Sequence, residues 1–321
     1  MHRWTSLEDV PAELGPTVAT LGNFDGVHQG HRTVLETVTG IARERGLASV
    51  AVTFDPHPVA VLHPERAPQE IAGLEHRLDL LEEAGLDAVV VIEFTKEYAR
   101  LSPEDFVVET FVDGLRAEVV VVGQDTRFGL HNSGDVGTMR ELGEVHGFDV
   151  VVQHTAGALD GGLRTWSSTA LRQALADGDL ATANAILDRP HRVSGEVVHG
   201  HHRGRELGYP TANLAFDCVG MIPADGVYAG WLERPDLPVG HPDRRLPAAI
   251  SVGTNPTFDD VEQRTVEAYV LDRDDLDLYG EVVRVDFVQR LRGNVRFDSL
   301  DELMAQMAAD VDRSRDLLQQ D

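Results

Sequence analysis

The pattern of apolar runs along the chain changes near residue 188, and this change most constrains the fold. Before it, short apolar runs typical of strands alternate with amphipathic helical stretches; the runs are 17–22, 48–54, 88–94, 117–122 and 149–153. Such alternation is typical of a parallel, doubly wound α/β sheet. We therefore predict an α/β domain over residues 1–187.

The remaining residues follow a different pattern. Short apolar runs are separated by glycine, proline and aspartate, at 194–198, 226–232, 248–252, 266–271 and 282–288. This spacing predicts an antiparallel β-barrel or sandwich, and apolar residues at helical spacing over 299–318 predict a closing helix. Because 321 residues exceed the ~100–200 of a usual single domain, we expect a second domain at 188–321.

Lys96 is the only lysine among 28 basic residues; all the others are arginine. It stands between Thr95 and Glu97, which matches neither the Gly-Lys-Ser/Thr of a P-loop nor the strand lysine of a protein kinase. Both of those ATP-binding folds are therefore excluded. If this chain uses ATP, another fold must bind it.

The formal net charge of −26 disfavours nucleic acid and anionic membranes as partners, because both are negatively charged and bind to clustered cations. No apolar run approaches the ~20 residues that span a bilayer, and residues 1–9 lack the apolar core of a signal peptide. The single cysteine, Cys218, stands in no metal-ligand spacing. We therefore expect a cytoplasmic protein that acts on small molecules; its oligomeric state, self-association included, stays open.

Residues 17–31 read as a strand that runs through glycines into a helix. Gly22, Gly26 and Gly30 allow close approach of the backbone to a ligand, and the amides and dipole of a helix N-terminus attract phosphate. His28 and His31 lie three residues apart at the helix start, so they project to the same side. Two isolated histidines could equally be surface residues, but their place after a strand indicates a triphosphate site.

Three further segments complete this candidate site. Ser167, Ser168 and Thr169 offer hydroxyls at a helix start and Arg172 follows one turn later, which suits a second phosphate contact or a plain helix cap. Residues 120–129 follow a buried strand at the carboxyl edge, where open α/β sheets bind ligands. Residues 54–58 end another strand there, with core and turn roles as the alternative.

These segments resemble the nucleotidyltransferases of the His-x-Gly-His type, specifically the adenylyltransferase module of bacterial bifunctional riboflavin kinase/FAD synthetases, over most of residues 15–187. The resemblance implies a Rossmann-like fold with catalytic His28, His31 and Arg172. The implied ATP contacts are Gly22, Asn23, Phe24, Asp25, His28, His31, Ser167, Ser168, Thr169 and Arg172. The implied flavin contacts are His57, Asp125, Arg127 and Phe128. Thr126 and Trp166 depart from the family pattern, which has an aromatic or apolar residue and an aliphatic residue there.

The chemistry of adenylyl transfer to FMN agrees with this set of groups. The nucleophile is a phosphate monoester with a second pKa of ~6, so it arrives ionised and needs no general base. Histidine, arginine and Mg²⁺ need only stabilise negative charge.

A second motif covers residues 195–213, where glycines and arginines are interleaved with histidines. His199, His201 and His202 raise a transition-metal site as an alternative, although no matching ligand set accompanies them. Some residues of the run could instead wrap a polyphosphate, namely Gly200, Arg203, Gly204, Arg205 and Gly208.

This run resembles the riboflavin kinase signature, and the resemblance spans about 192–318. It implies ATP contacts at Gly200, Arg203, Gly204, Arg205, Gly208, Thr211 and Asn213. It implies flavin contacts at Asn255, Phe258 and Arg292. In an extended segment Thr211 and Asn213 fall on one face, where they offer two neutral oxygens to a phosphate-bound Mg²⁺. Gly293 and Asn294 depart from the family pattern, in which acidic residues are common.

Glu267 occupies the position of the catalytic base in that family. Strand alternation places it with Tyr269 on one face, opposite Val266, Ala268 and Val270. A strand glutamate is usually just a solvent-side residue. The ribityl hydroxyl of riboflavin, however, is about as weak an acid as water, with a pKa of ~15.7, so its attack on phosphate benefits from a base.

The two motif sets predict a bifunctional enzyme that makes FMN from riboflavin in the barrel and FAD from FMN in the α/β domain, using ATP and Mg²⁺ in both. Two alternatives stay open. One is a riboflavin kinase whose first domain has lost or changed its acceptor, and the other is a flavin-sensing binding protein without turnover. The His28/His31 pair and Glu267 weigh against the binding protein, which needs neither charge stabilisation nor a base.

Overall fold

The computed structural model describes residues 1–154, 166–200, 208–255 and 263–319. Contacts divide the chain into two units, Met1–Gln69 with Gly73–Ser168 and Glu70–Ala72 with Thr169–Asp321. The first unit is α/β and the second is a β-barrel with helices. Both predicted fold classes are confirmed.

The first unit contains a six-stranded parallel sheet. Its strands are β1 (His2–Trp4), β2 (Thr17–Leu21), β3 (Ala48–Asp55), β4 (Ala88–Glu93), β5 (Ala117–Gly123) and β6 (Asp149–Gln153). Its α-helices are α1 (Gln29–Arg45), α2 (Pro58–Leu62), α3 (Leu74–Glu83), α4 (Pro103–Val107), which a π-helical stretch (Val108–Gly114) continues, and α5 (Val136–His146). Five strands match the predicted runs to within one residue; β1 is absent from the prediction because three residues are too few to show a period.

The strand order is β1-β4-β3-β2-β5-β6, so it reverses between β2 and β5. The four central strands of the sheet are largely buried on both faces, as expected of a parallel sheet flanked by helices. In β5, Val119 and Val121 pack with residues of α1 and α3, whereas Val120 and Val122 pack with residues of α4 and α5. Open α/β sheets bind ligands beside the carboxyl ends of the strands at such a reversal.

The second unit contains a closed antiparallel barrel. Its strands are β7 (His191–Val198), β8 (Thr211–Leu214), β9 (Gly226–Glu233), β10 (Arg245–Asn255), β11 (Gln263–Val270) and β12 (Val282–Arg292). They follow one another around the barrel in the order β10-β11-β8-β7-β12-β9. Each predicted run overlaps one strand, and β8 forms from the segment predicted only to be extended. Closure pairs each of these six strands on both sides, so none of them is an open sheet edge.

Among the described residues, three helices accompany the barrel, namely α6 (Ser168–Asp177), α7 (Leu180–Leu187) and α8 (Leu300–Leu318), the predicted closing helix. Asn184 fastens α7 to the barrel. Its Nδ2 donates to the carbonyl oxygens of Phe287 and Val288 at 2.9 and 3.1 Å, and its Oδ1 accepts from the amide of His191 at 2.9 Å. The boundary between residues 187 and 188 stays a prediction, and these bonds show that α7 stabilises the barrel.

We predict that a fragment of residues 169–321 is more stable than a fragment of residues 188–321. The shorter fragment loses the bonds of Asn184 and the burial of Ile186 and Leu187, which are 1 % exposed. Each such apolar side chain contributes about 1.5–3 kcal/mol when fully buried. Urea unfolding of the two fragments measures the difference.

In the longer fragment, Asn184→Ala should lower the free energy of unfolding by about 1–3 kcal/mol, because three backbone groups lose their partner. Gln173→Ala, at an exposed position of α6, is the control and should change it by less than about 0.5 kcal/mol. Equal stability of the two fragments would show that α7 adds nothing to the barrel.

Candidate active sites

The first candidate site is a cavity of about 890 Å³ beside the carboxyl ends of β2 and β5, where the strand order reverses. Gly22 and Asn23 line it after β2. Three of the four predicted flavin contacts line it after β5; they are Asp125, Arg127 and Phe128. The fourth, His57, is buried, and its Nε2 lies 3.3 Å from the side-chain amide of Asn23. The structure therefore brings these predicted residues together.

Aromatic rings form one wall of this cavity. Their centroids are 5.5 Å apart for Phe54 and Phe94, 5.9 Å for Phe94 and Tyr98, and 5.6 Å for Phe106 and Phe128. Burial raises the pKa of the Tyr98 hydroxyl to about 12, so this group stays neutral. An apolar wall of this kind suits the flat ring system expected from the sequence.

Two cations of the cavity were missed by the sequence reasoning. Lys96, which served there only to exclude other ATP sites, lines the cavity together with Arg100. Both residues follow β4 at the carboxyl edge of the sheet. Their place after a predicted strand is the signal that could have found them, since this is the edge where ligands bind.

The loop between β2 and α1 is strained. Phe24 and Val27 adopt left-handed φ angles of 47° and 38°, which are uncommon for residues other than glycine and rare for a β-branched one. Their side chains are 2 % and 0 % exposed. The buried side chains, packed in the hydrophobic core, hold this conformation and with it the direction in which the loop enters α1.

His28 and His31 meet as predicted at the start of α1. His28 caps the helix, because its Nδ1 accepts from the amide of His31 at 3.3 Å, and the two ring centroids are 3.7 Å apart. Burial, and then the charge of His28, lower the pKa of His31 well below the usual value for histidine, so His31 is neutral at pH 7. Its Nδ1 finds no hydrogen-bond partner among the described residues.

Gly30 allows this packing. A Cβ atom there would lie 3.0 Å from the carbonyl oxygen of Trp166 and 3.1 Å from the ring of His28. Trp166, one of the two departures from the family pattern, therefore contributes backbone to the first site.

The predicted second phosphate contact is divided between the two units. The hydroxyl of Ser168 donates to the carbonyl oxygen of Asp25 at 3.1 Å within the first unit, which also contains Ser167. Thr169 and Arg172 are counted with the second unit. Their part in the first site stays a prediction.

The second candidate site lies on neighbouring strands of the barrel. β8 pairs with β11, so that Asn213 lies opposite Glu267 and Thr211 opposite Tyr269. The hydroxyl of Thr211 donates to Oε2 of Glu267 at 3.4 Å, and Nδ2 of Asn213 donates to that hydroxyl oxygen at 3.1 Å. The predicted metal ligands and the predicted base are therefore held together by a β-ladder.

A cavity of about 320 Å³ adjoins this group and is lined by Thr211, Asn213 and Gly200. A Cβ atom on Gly200 would lie 2.5 Å from Oδ1 of Asn213, so a larger residue there would displace the asparagine. The acidic segment 273–277 forms another wall. In it Arg273 pairs with Asp243 at 2.7 Å and with a neighbouring carboxylate.

Several predicted kinase residues lie outside the described residues, namely Arg203, Gly204, Arg205 and Phe258 together with the side chain of Asn255. Gly208 is described, with a left-handed φ of 84°. The transition-metal alternative rests partly on His201 and His202, which also lie outside. Within the described ranges, no group of three or more His, Cys, Asp or Glu side chains could hold a metal ion.

Arg292, a predicted flavin contact of the kinase, is bound to α8. Its Nη2 and Nε donate to Oδ2 of Asp310 at 2.7 and 3.0 Å. Asn294, at a departure from the family pattern, donates to the carbonyl oxygen of Val252 at 3.0 Å. The flavin role of Arg292 stays a prediction, and any ligand there meets a guanidinium that already has a carboxylate partner.

Two protein families match the chain. A family described as FAD synthetase matches residues 10–169, and one described as riboflavin kinase matches residues 187–318. The bifunctional riboflavin kinase/FMN adenylyltransferase of Escherichia coli K12 is 38% identical over 91% of this chain and 90% of its own length. The protein of the same name from Bacillus subtilis 168 is 32% identical over 94% and 92%.

A solved structure described as a macrolide-efflux protein from Streptococcus pneumoniae matches with a TM-score of 0.84 and 30% identity, over 98% of both chains. In the part of this chain that the structure describes, none of the helices combines the length and the apolar character that crossing a membrane requires. Two domain matches in the predicted order and relatives that cover nine-tenths of the sequence lead to one conclusion. The chain belongs to the family of bifunctional riboflavin kinase/FMN adenylyltransferases.

Proposed function

We propose that the barrel unit transfers the γ-phosphate of ATP to riboflavin and that the α/β unit then joins the resulting FMN to the adenylyl group of a second ATP. The observation that carries this is the pair of family matches, FAD synthetase at 10–169 and riboflavin kinase at 187–318, each on a unit with the expected fold. We keep the boundary between residues 187 and 188 as the division between the two activities, which the start of the second match supports.

In the kinase step, Glu267 removes the proton from the ribityl hydroxyl while the oxygen of that hydroxyl bonds to the γ-phosphorus of ATP. The bond from the γ-phosphorus to ADP breaks, and ADP leaves. Glu267 lies within reach of Thr211, and Thr211 contacts Asn213. The hydroxyl and amide oxygens of these two residues are hard donors of the kind that Mg²⁺ accepts beside ATP phosphates, so the residues fit this metal. When bound, Mg²⁺ supplies neutralisation of phosphate charge.

In the adenylyl step, the ionised phosphate of FMN attacks the α-phosphorus of ATP, and diphosphate leaves as the bond between the α-phosphorus and its bridging oxygen breaks. His28 and His31 at the start of α1 would donate hydrogen bonds to these phosphates, aided by the helix dipole. The aromatic wall of the 890 Å³ cavity would hold the flavin ring. Lys96, Arg100 and Arg127 line the same cavity and supply positive charge.

We place both reactions in the cytoplasm and expect small molecules as the only partners they need. The formal net charge of −26 supports the exclusion of nucleic acid as a binding partner, since phosphate backbones bind to clustered cations. The dependence of both steps on Mg²⁺ is part of this proposal.

One incubation tests the proposal. With riboflavin, ATP and Mg²⁺, chromatography of the flavins should show FMN first and FAD later, and chelation of Mg²⁺ should stop both steps. FMN without FAD would identify a riboflavin kinase only. Bound riboflavin without ATP consumption would identify a flavin-binding protein.

We predict that Glu267→Gln lowers riboflavin phosphorylation by about 10²–10⁴-fold, because the amide keeps the size of the side chain but cannot act as the base. FMN supplied directly should still become FAD. Glu281→Gln is the matched control, since Glu281 is a barrel carboxylate that pairs with Arg234 at 2.6 Å, and it should keep kinase activity. Unchanged FMN formation by Glu267→Gln would remove Glu267 from this role.

We predict that His31→Ala impairs the adenylyl step and leaves the kinase step intact, so that riboflavin is converted to FMN and FMN accumulates. FAD formation should fall by about 10²–10³-fold, the effect of removing one preorganised donor from a transition state. His2→Ala, at an exposed histidine of β1, should retain both activities. If His31→Ala makes FAD at the normal rate, the N-terminal site does not work through this histidine.

A further inference from the structure

Arg77 is a buried cation on α3. It is 2 % exposed and shares the inward face of the helix with Leu78 and Leu81, in the core of the first unit. Burying a charge is unfavourable unless other groups pair with it or hydrogen-bond to it. The partners of Arg77 therefore show what its charge stabilises.

Two of the groups that contact Arg77 stand at the ends of neighbouring strands. Nη1 of Arg77 donates to the carbonyl oxygen of Asn23 at 2.9 Å, just after β2. Nη2 lies 3.6 Å from Oδ1 of Asp55, the last residue of β3. The hydroxyl of Thr53 donates to the same Asn23 carbonyl at 3.3 Å. Arg77 thus ties the start of the strained loop to the end of the next strand.

The side chains carried by these two strand ends also meet. Nδ1 of His57 accepts from the amide of Val59 at 3.2 Å, which holds the ring in place. Nε2 of the same ring lies 3.3 Å from Nδ2 of Asn23. Asn23 lines the 890 Å³ cavity, so its contact with His57 helps to orient a side-chain amide of that cavity.

We propose that Arg77 is a positioning residue for FMN adenylylation. By holding the Asn23 carbonyl and Asp55 together, it fixes the distance between Asn23 and His57 and so keeps the side-chain amide of Asn23 in position beside the bound substrates. Arg77 acts through Asn23 and does not line the cavity itself. This inference rests on the proposed adenylyl transfer in the α/β unit.

The test uses the full chain and follows both activities. In Arg77→Met, kcat for FAD formation should fall by about 10²-fold, because displacement of a positioning group by 1 Å has an effect of that size. Phosphorylation of riboflavin by the same molecules should be unchanged, which serves as an internal control. Arg77→Lys keeps the charge but not the fork that reaches both partners, so it should lose less activity than Arg77→Met.

Arg116→Met is the matched control. Arg116 also donates to a backbone carbonyl, that of Pro11 at 2.9 Å, but it precedes β5 at the opposite edge of the sheet. It should lower thermal stability with no loss of FAD formation per folded molecule. A thermal unfolding curve of each variant gives its folded fraction at the assay temperature.

A double-mutant cycle separates positioning from stability. In an Asn23→Ala background, Arg77→Met should reduce kcat by less than about 3-fold further, because residues that act through one another are not additive. An independent, additive loss would overturn the inference, as would folded Arg77→Met with normal FAD formation. If Arg77→Met does not fold, the same criteria apply to Arg77→Lys. Absence of FAD from the unaltered chain would instead overturn the proposed function, and the inference with it.

Discussion

The loop between β2 and α1 is the constraint on which the first site depends. It passes through two left-handed residues that are not glycine, Phe24 and Val27, and their buried side chains hold it in place. The loop contains Asn23 near its start and ends at His28, the cap of α1. The chain has a single lysine, so in the proposed mechanism most phosphate contacts come from backbone amides, imidazoles and arginines, and these act only if packing aims them beforehand.

The two reactions differ in the charge of the nucleophile, and the two sites therefore need different groups. In adenylyl transfer the nucleophile is already charged, so in the proposed mechanism a neutral donor such as His31 suffices, and burial keeps this histidine neutral. In the kinase the nucleophile is an alcohol, so the site needs a base. Glu267 is brought to Thr211 and Asn213 by the register of β8 and β11, because backbone hydrogen bonds set the spacing of side chains across a ladder.

Much of the fold and part of each site could be predicted from the sequence. Strand periodicity is local, so five parallel strands are recovered to within one residue and each barrel run overlaps a strand. The His28/His31 pair and the Thr211/Asn213 face are local as well, because each is set by helical or strand spacing. The short strand β1 and the contribution of α7 to the barrel are not local, since each depends on contacts with strands far along the chain.

By itself the sequence determined the two fold classes, the order of the two activities and the residues of each continuous motif, because periodicity and a junction from strand to helix are properties of neighbouring residues. The tertiary structure alone decided that Arg77 meets Asn23, 54 residues away, and that Arg292 is bound to Asp310, 18 residues away. It also decided that His31 is neutral. Pairing and burial depend on which distant segments share a core, and no local pattern specifies this.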